Sequence, residues 1–177
     1  MQRLQPIRHL IIDMDGVLYL GDKPMPGLQA FFGFLDERQI RFQLVTNNST
    51  LTPQMYAQKM ARMGVTVQEE DVLTSSIATA GYVSSRYPAG SHVYAIGEEG
   101  LRDALQGAGF TLGRRHPVAV VVGFDRDLTY AKLREATLLI RSGLPFVATN
   151  PDCSRRSSAI LFARLVHPRQ LFLNQYQ

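Results

Sequence analysis

The sequence predicts an α/β protein with largely parallel sheets, and three features of the chain lead to this prediction. Short apolar segments alternate with segments of helical periodicity along most of the chain. One segment, Val118–Gly123, is apolar without interruption up to its closing glycine, which is typical of a strand covered on both faces. Polar residues directly follow two predicted strands, at the end where parallel sheets bind their ligands.

The first half of the chain contains two strand–helix units. In order, we predict a strand hidden from water at Leu10–Ile12, a helix with its apolar face at Leu28, Phe31, Phe32 and Leu35, a strand at Phe42–Val45, and a helix with its apolar face at Tyr56, Met60 and Met63. Thr52 and Pro53 supply the cap and first turn of the second helix, and Gly64 ends it. A Ser/Thr cluster within Leu73–Ala80 predicts a boundary between domains.

The second half of the chain repeats this alternation. In order, we predict a helix at Ser76–Tyr87, a strand at His92–Gly97, a helix at Glu98–Ala108, the strand at Val118–Gly123, a helix from Thr129 to about Arg141, and a strand at Pro145–Thr149. Thr129 is the predicted cap of the last helix, and we expect Asp125 and Asp127 to shape the loop before it. Strands and helices of these lengths predict crossover units and parallel sheets.

Composition and charge exclude several classes of protein. The 177 residues carry a net charge of +4, but all 15 acidic residues lie within residues 1–152, where 15 of the 19 basic residues balance them. The excess is four arginines in the last 25 residues, so no basic groove with interleaved aromatics supports nucleic-acid binding. Asp13 interrupts the first apolar run, and no run reaches the roughly 18 residues of a membrane span. The single cysteine, Cys153, excludes an intrachain disulfide and favours a cytoplasmic location.

Two polar clusters are the candidates for chemistry. Asp13–Gly16 follows the first strand and Thr46–Asn48 follows the second. Two carboxylates one residue apart repel each other, so folding alone gives no reason for them. If the two strands are neighbours, both clusters face one crevice. A D-x-D triplet by itself is more often a turn or a solvated strand end, but the preceding strand, the following glycine and the second cluster together favour a binding site.

The same residues resemble the motifs of a known family. DMDGVLYLGD, at Asp13–Asp22, is similar to motif I of the haloacid dehalogenase-like (HAD) phosphatases, and VTNNST, at Val45–Thr50, is similar to their motif II. Five further stretches resemble the NagD-like branch, which includes p-nitrophenyl phosphatase and phosphoglycolate phosphatase relatives: PMPG, TSSIATAGY, VYAIGEEGLRDAL, VVVGFDRDLTY and FVATNPD. The resemblance covers about residues 8–152, and its motifs occur in the family's order.

This resemblance implies a Mg²⁺-dependent phosphohydrolase of small phosphomonoesters that works through an aspartyl-phosphate intermediate. Asp13 would be the nucleophile, and Asp15 would protonate the leaving group and then activate water. Mg²⁺ would be held by the Asp13 carboxylate and the Asp15 backbone carbonyl, because it prefers oxygen ligands. The Thr46 hydroxyl and the amides of Asn47 and Asn48 would bind the phosphoryl oxygens. The implied partners are a small phosphorylated metabolite and, through the cap domain, a second copy of the chain.

The resemblance also implies a division of the chain. Residues 1–78 would be the N-terminal part of a Rossmann-like HAD core, residues 79–152 part of an α/β cap inserted after motif II, and residues 153–177 a divergent basic tail. The family's motif III lysine, in a G-K-P context, and its motif IV carboxylates, in a G-D-x-x-x-T-D context, do not occur after Asp152. We therefore expect a reading-frame shift near Asp152. The alternative function is that of a non-catalytic HAD-like fragment that binds a partner.

Overall fold

The computed structural model describes residues 7–150. In this range the strands are β1 (His9–Asp13), β2 (Tyr19–Leu20), β3 (Lys23–Pro24), β4 (Arg41–Thr46), β5 (Val72–Thr74), β6 (His92–Ile96), β7 (Thr111–Leu112), β8 (Ala119–Val122) and β9 (Phe146–Ala148). The helices are α1 (Leu28–Glu37), α2 (Pro53–Arg62), α3 (Ser75–Ser84), α4 (Glu99–Gly107) and α5 (Tyr130–Arg141), with a short 3-10 turn at Glu69–Asp71. The predictions about the tail at residues 153–177 and about a frame shift near Asp152 lie outside the described residues.

The chain forms two compact units, each of which contains a parallel sheet. Within the described range, the first unit consists of the residues up to Thr46 and of Pro53–Thr74. The second unit consists of Asn47–Thr52 and of the residues from Ser75 onward. The predicted fold class, α/β with largely parallel sheets, is therefore confirmed.

The sheet of the first unit has the order β1-β4-β5, and both pairings are parallel. The helices α1 and α2 lie in the two crossovers, as the helical periodicity predicted. Asp13 pairs in register with Val45, and Thr46 pairs with Thr74, so the three strands end together at one edge of the sheet. The strands that carry the two polar clusters are therefore neighbours, as expected.

One face of this sheet packs on helices, and the other face is open within the described residues. Phe32 of α1 packs edge-to-face on Phe42 of β4, with ring centroids 5.1 Å apart, and Ile12 is buried. Ile11 points to the opposite face, since side chains alternate along a strand, and it is 79% exposed. The prediction that Leu10–Ile12 is wholly hidden from water is wrong at Ile11.

Three short strands of the first unit were not predicted. The strands β2 and β3 form an antiparallel hairpin, and β5 occupies the segment that was interpreted as the start of a domain boundary. Strands of two or three residues contain too few positions for an alternating pattern to stand out.

The second unit contains a four-stranded parallel sheet in the order β7-β6-β8-β9. All four residues of β8 are buried, because alternate side chains enter separate hydrophobic clusters. Val121 packs in a cluster with residues of α3 and α4, and Val120 packs in a second cluster with residues of α5. The prediction that this strand is covered on both faces is confirmed.

The helix α5 begins as predicted. The Thr129 hydroxyl accepts a hydrogen bond from the backbone N–H of Lys132 at 3.2 Å, which satisfies one of the free donors of the first turn. At 12 residues, α5 is the longest helix among residues 7–150, and no helix in that range has the length and hydropathy needed to cross a bilayer.

Candidate active site

Asp13 and Asp15 lie at the carboxyl end of β1, and the strand geometry explains why both carboxylates face solvent. Met14, between them, is fully buried, whereas both aspartates are exposed. This alternation directs the two carboxylates away from the core and towards the same side. The Asp13 Oδ1 atom accepts the backbone N–H of Met14 at 2.8 Å, which fixes the orientation of that carboxylate.

A tight turn follows the two aspartates. Gly16 has a φ angle of 83°, in the left-handed region that a side chain disfavours, and its N–H donates to the carbonyl of Tyr19 at 2.8 Å. Asp15 and Tyr19 form an isolated bridge, so the chain folds back on itself directly after the second aspartate. This is the structural reason for the glycine in the first polar cluster.

Thr46, at the end of β4, contacts the second aspartate. Its Oγ1 atom donates to Asp15 Oδ2 at 3.3 Å, and its own side chain is buried. The Tyr56 hydroxyl, on α2, is hydrogen-bonded to Thr46. Burial raises the pKa of Tyr56 to about 12, although the hydrogen bond with Thr46 opposes that rise. The sequence placed Tyr56 on a buried helix face, but nothing in its spacing indicated this contact.

Tyr19 and Lys59 also lie near these residues, and sequence reasoning did not single them out as site residues. Tyr19 is fully buried, and the Lys59 ammonium lies 3.9 Å from the centroid of its ring. Burial raises the pKa of the Tyr19 hydroxyl, and the charges of Asp15, Tyr56 and Asp13 raise it further. The position of Tyr19 inside the first motif was the only signal that could have drawn attention to it.

The oxygen atoms of this cluster suit Mg²⁺. The two exposed carboxylates are hard oxygen donors, and protein sites for Mg²⁺ at phosphate groups commonly supply one or two carboxylates. No group of three or more His, Cys, Asp and Glu side chains is arranged for metal binding within residues 7–150. The residues present therefore fit a Mg²⁺ ion that also takes ligands from phosphate and water.

Asn47 and Asn48 follow Thr46 directly in the chain, but they belong to the second unit. The backbone carbonyl of Asn47 accepts the Ser75 hydroxyl at 2.9 Å. The Asn48 Oδ1 atom accepts the backbone N–H of Thr50 at 3.1 Å, which forms a local turn. Both contacts fix the course of the segment.

The rest of the segment, Asn47–Thr52, is held by a set of close contacts within the second unit. The Ser49 hydroxyl accepts the N–H of Phe124 at 3.1 Å, and the Ser49 carbonyl accepts the Ser76 hydroxyl at 3.0 Å. The N–H of Gly100 donates to the carbonyl of Thr50 at 3.0 Å. A Cβ atom at Gly100 would lie 2.8 Å from the Ser49 carbonyl oxygen, so the approach requires a glycine.

The acidic residues after β8 have structural partners. Asp125 is buried, and its carboxylate accepts the N–H of Asp127 at 2.9 Å and the ammonium of Lys132 at 2.8 Å. These bonds shape the loop before Thr129, which confirms that prediction.

Glu98, directly before α4, pairs with Arg126 in the loop after β8. The pKa of Glu98 is lowered, chiefly by the hydrogen bond from that guanidinium.

Comparison with known proteins gives relatives of one chemical class. The chain is 41% identical over 145 residues to an acid sugar phosphatase of Staphylococcus aureus, and the match covers 81% of this chain and 56% of the relative. The chain thus spans little more than half the length of the curated relatives it matches.

Solved structures give the same result. A 4-nitrophenylphosphatase from Thermotoga maritima is similar with a TM-score of 0.82 and 34% identity, covering 90% of this chain and 63% of that chain. A glycerol phosphate phosphatase from Mycobacterium tuberculosis, solved in complex with magnesium, is similar with a TM-score of 0.75 and 30% identity, covering 82% and 44%.

The sequence model of the haloacid dehalogenase-like hydrolases matches residues 10–111, which is more than half of the chain and includes both polar clusters. This match agrees with the named relatives and with the predicted motifs. The chain belongs to the haloacid dehalogenase-like hydrolase family.

Proposed function

We propose that this chain carries the nucleophile and the general acid of a Mg²⁺-dependent phosphohydrolase that acts on small phosphorylated metabolites. The observation that supports this most strongly is the arrangement of Asp13, Asp15 and Thr46 at the ends of two neighbouring parallel strands, with both carboxylates exposed. The three relatives described above are phosphatases, which supports the same reaction class.

In the proposed reaction, an Asp13 carboxylate oxygen attacks the phosphorus atom of a phosphomonoester. The bond from phosphorus to the ester oxygen breaks, and Asp15 gives its proton to that oxygen, so the alcohol leaves neutral. Asp15 then takes a proton from water as the water oxygen attacks the phosphorus. The bond from phosphorus to Asp13 breaks, and inorganic phosphate is released.

The remaining residues bind and orient the phosphoryl group. The Thr46 hydroxyl and the amides of Asn47 and Asn48 are the proposed donors to its oxygens. The Asp13 carboxylate and the Asp15 backbone carbonyl are the proposed ligands of Mg²⁺, which would supply positive charge where negative charge develops. We further propose that residues 1–78 are the N-terminal part of the catalytic core and residues 79–152 part of a cap that selects the substrate in a cytoplasmic enzyme.

The test is phosphate release from p-nitrophenyl phosphate by the purified chain, with Mg²⁺ and with a chelator. We expect turnover that requires Mg²⁺ and is absent from the Asp13→Asn variant, because an amide is not an anionic nucleophile. Turnover that persists in the Asp13→Asn variant would contradict the covalent mechanism.

A second candidate function is the binding of a partner without catalysis. The open face of the first sheet favours it, since Ile11 is 79% exposed there. The same assay distinguishes the two candidates: binding of inorganic phosphate with no hydrolysis at any Mg²⁺ concentration would favour the non-catalytic one.

A further inference from the structure

The Tyr19 hydroxyl is a hydrogen-bond donor that the described structure leaves unused. Tyr19 is fully buried, and among residues 7–150 its hydroxyl oxygen is the only buried side-chain polar atom without a hydrogen-bond partner. A buried hydroxyl with no partner costs roughly 1–3 kcal/mol. Such a group is therefore a candidate donor to an acceptor that reaches it in another state of the protein.

The backbone brings Tyr19 next to the second aspartate. Asp15 and Tyr19 form a bridge, and the N–H of Gly16 donates to the Tyr19 carbonyl at 2.8 Å, so the two side chains start from adjacent points of one tight turn. The charges of Asp15 and Asp13 add to the effect of burial in raising the pKa of the Tyr19 hydroxyl. The Lys59 ammonium lies 3.9 Å from the centroid of the Tyr19 ring.

The proposed reaction creates a need for such a donor. A threonine hydroxyl has one proton to donate, and in this structure Thr46 donates it to Asp15 at 3.3 Å. When the same hydroxyl donates to a phosphoryl oxygen, as the proposed function requires, Asp15 loses that hydrogen bond. The Tyr56 hydroxyl is already bonded to Thr46. Tyr19 is then the buried donor that remains.

We propose that Tyr19 is a positioning residue for Asp15, whose carboxylate moves from the Thr46 hydroxyl to the Tyr19 hydroxyl when phosphate occupies the site. The exchange keeps Asp15 hydrogen-bonded in both states and frees the Thr46 proton for the phosphoryl group. It rests on the proposed function, since it assigns a role to a residue that acts on the proposed general acid.

The first experiment measures thermal unfolding of the full chain with Mg²⁺, with and without inorganic phosphate. The variants are Tyr19→Phe and, as a matched control, Tyr94→Phe, whose hydroxyl donates to the Lys132 carbonyl at 3.2 Å in the second unit. Without phosphate, we expect Tyr94→Phe to lower the midpoint by about 2–4 °C, and Tyr19→Phe to leave it unchanged or raise it. Phosphate should raise the midpoint of the wild type and of Tyr94→Phe, and should raise that of Tyr19→Phe by less than about half as much.

Two results would contradict the role of Tyr19 and leave the proposed phosphate site unaffected. One is a Tyr19→Phe midpoint that falls as far as that of Tyr94→Phe without phosphate, because the hydroxyl would then have a permanent partner. The other is a phosphate-induced shift in Tyr19→Phe equal to that of the wild type. No phosphate-induced shift in the wild type itself would contradict the proposed function, and with it the need for a second donor.

Steady-state kinetics with p-nitrophenyl phosphate supply the second readout. Loss of a hydrogen bond to the general acid should lower kcat by about 10-fold or more, and the weaker binding of the phosphoryl group should raise KM as well. A rise in KM with an unchanged kcat would show that Tyr19 acts on binding and would overturn the positioning role.

Discussion

At the scale of single residues, the burial of Met14 determines the direction in which the side chains of Asp13 and Asp15 point. A strand that ends with a fully buried side chain between two exposed carboxylates directs both carboxylates outward. Two carboxylates so close together repel each other, and a bound cation would offset that repulsion. The hydrogen bond from Thr46 holds Asp15 on the side of the neighbouring strand.

The two aspartates should respond differently to the same substitution. Asp13→Asn should abolish hydrolysis of every phosphomonoester, whereas Asp15→Asn should reduce kcat for an alkyl phosphate by about 10²–10⁴-fold, the usual contribution of general acid–base catalysis. With p-nitrophenyl phosphate, whose leaving group needs little protonation, Asp15→Asn should lose less activity, and Asp13→Asn should still have none. Equal losses with both substrates would contradict the separate roles.

At the scale of elements, the segment Asn47–Thr52 shows how a loop is held by the helix and the strand beside it. The start of α4 approaches the segment so closely that a side chain at Gly100 would require the backbone to move. The N–H of Phe124, which follows β8, donates to the Ser49 hydroxyl. These contacts belong to the second unit, although the segment directly continues β4 of the first. A side chain at Gly100 should therefore displace the segment.

Two glycines of α4 provide a matched test. Gly100→Ala should lower the free energy of unfolding by about 1–3 kcal/mol, because its Cβ would overlap the backbone of the segment. Gly107→Ala, at the end of the same helix and with no atom within 4 Å of its Cβ, should raise stability by up to about 1 kcal/mol. Urea unfolding of both variants measures the difference, and equal effects would contradict the close approach at Gly100.

The pair formed by Glu98 and Arg126 connects the start of α4 to the loop after β8 and predicts a pH dependence. Because the pKa of Glu98 is lowered in the folded state, the pair contributes stability above the ordinary pKa of a glutamate and loses it as pH falls through the lowered value. Arg126→Gln should therefore be slightly less stable than the wild type near neutral pH; the difference should shrink once pH falls below the ordinary pKa of a glutamate, about 4.3, and disappear below the lowered value. Unfolding midpoints measured across that range test this, and a difference that grows on acidification would have the wrong sign.

At the scale of the whole molecule, the two sheets differ in how they are covered. The sheet of the second unit is packed on both faces, and its central strand β8 is fully buried. Within the described residues, the sheet of the first unit is packed on the face that carries Ile12 and open on the face that carries Ile11. Parallel sheets are usually covered on both faces, and within residues 7–150 only the sheet of the second unit follows that rule.

Substitution of Ile11 and of Ile12 by threonine should have different effects on stability, because the two side chains lie on opposite faces of the sheet. Ile12→Thr should destabilise the chain by about 1–3 kcal/mol, because it places a hydroxyl in the packed core. Ile11→Thr keeps a β-branched side chain at a position that is 79% exposed, and should change stability by less than about 0.5 kcal/mol. A large loss at Ile11 would indicate that something covers that face in solution.

Local patterns were enough to predict much of this protein. The alternation of short apolar segments with segments of helical periodicity predicted the main strands and helices. The uninterrupted apolar run at Val118–Gly123 predicted a strand buried on both faces, and Thr129 predicted the start of α5. The placement of Asp13 and Thr46 at the ends of adjacent strands was also predictable, because a helical crossover between parallel strands brings their carboxyl ends to one edge. Each of these features depends on residues that are close in sequence or on a general rule of connection.

Only the tertiary structure determined the features that depend on contacts between distant segments. The bridge of Asp15 to Tyr19, the hydrogen bond from Thr46 to Asp15 and that from Phe124 to Ser49 join residues between 4 and 75 positions apart. The burial of the Tyr19 hydroxyl depends on which side chains surround that one atom. The exposure of Ile11 has the same origin, since an apolar residue in a strand does not specify whether anything packs against it. Sequence periodicity reports which side of an element a residue occupies, whereas hydrogen-bond partners and burial depend on the three-dimensional packing of the elements.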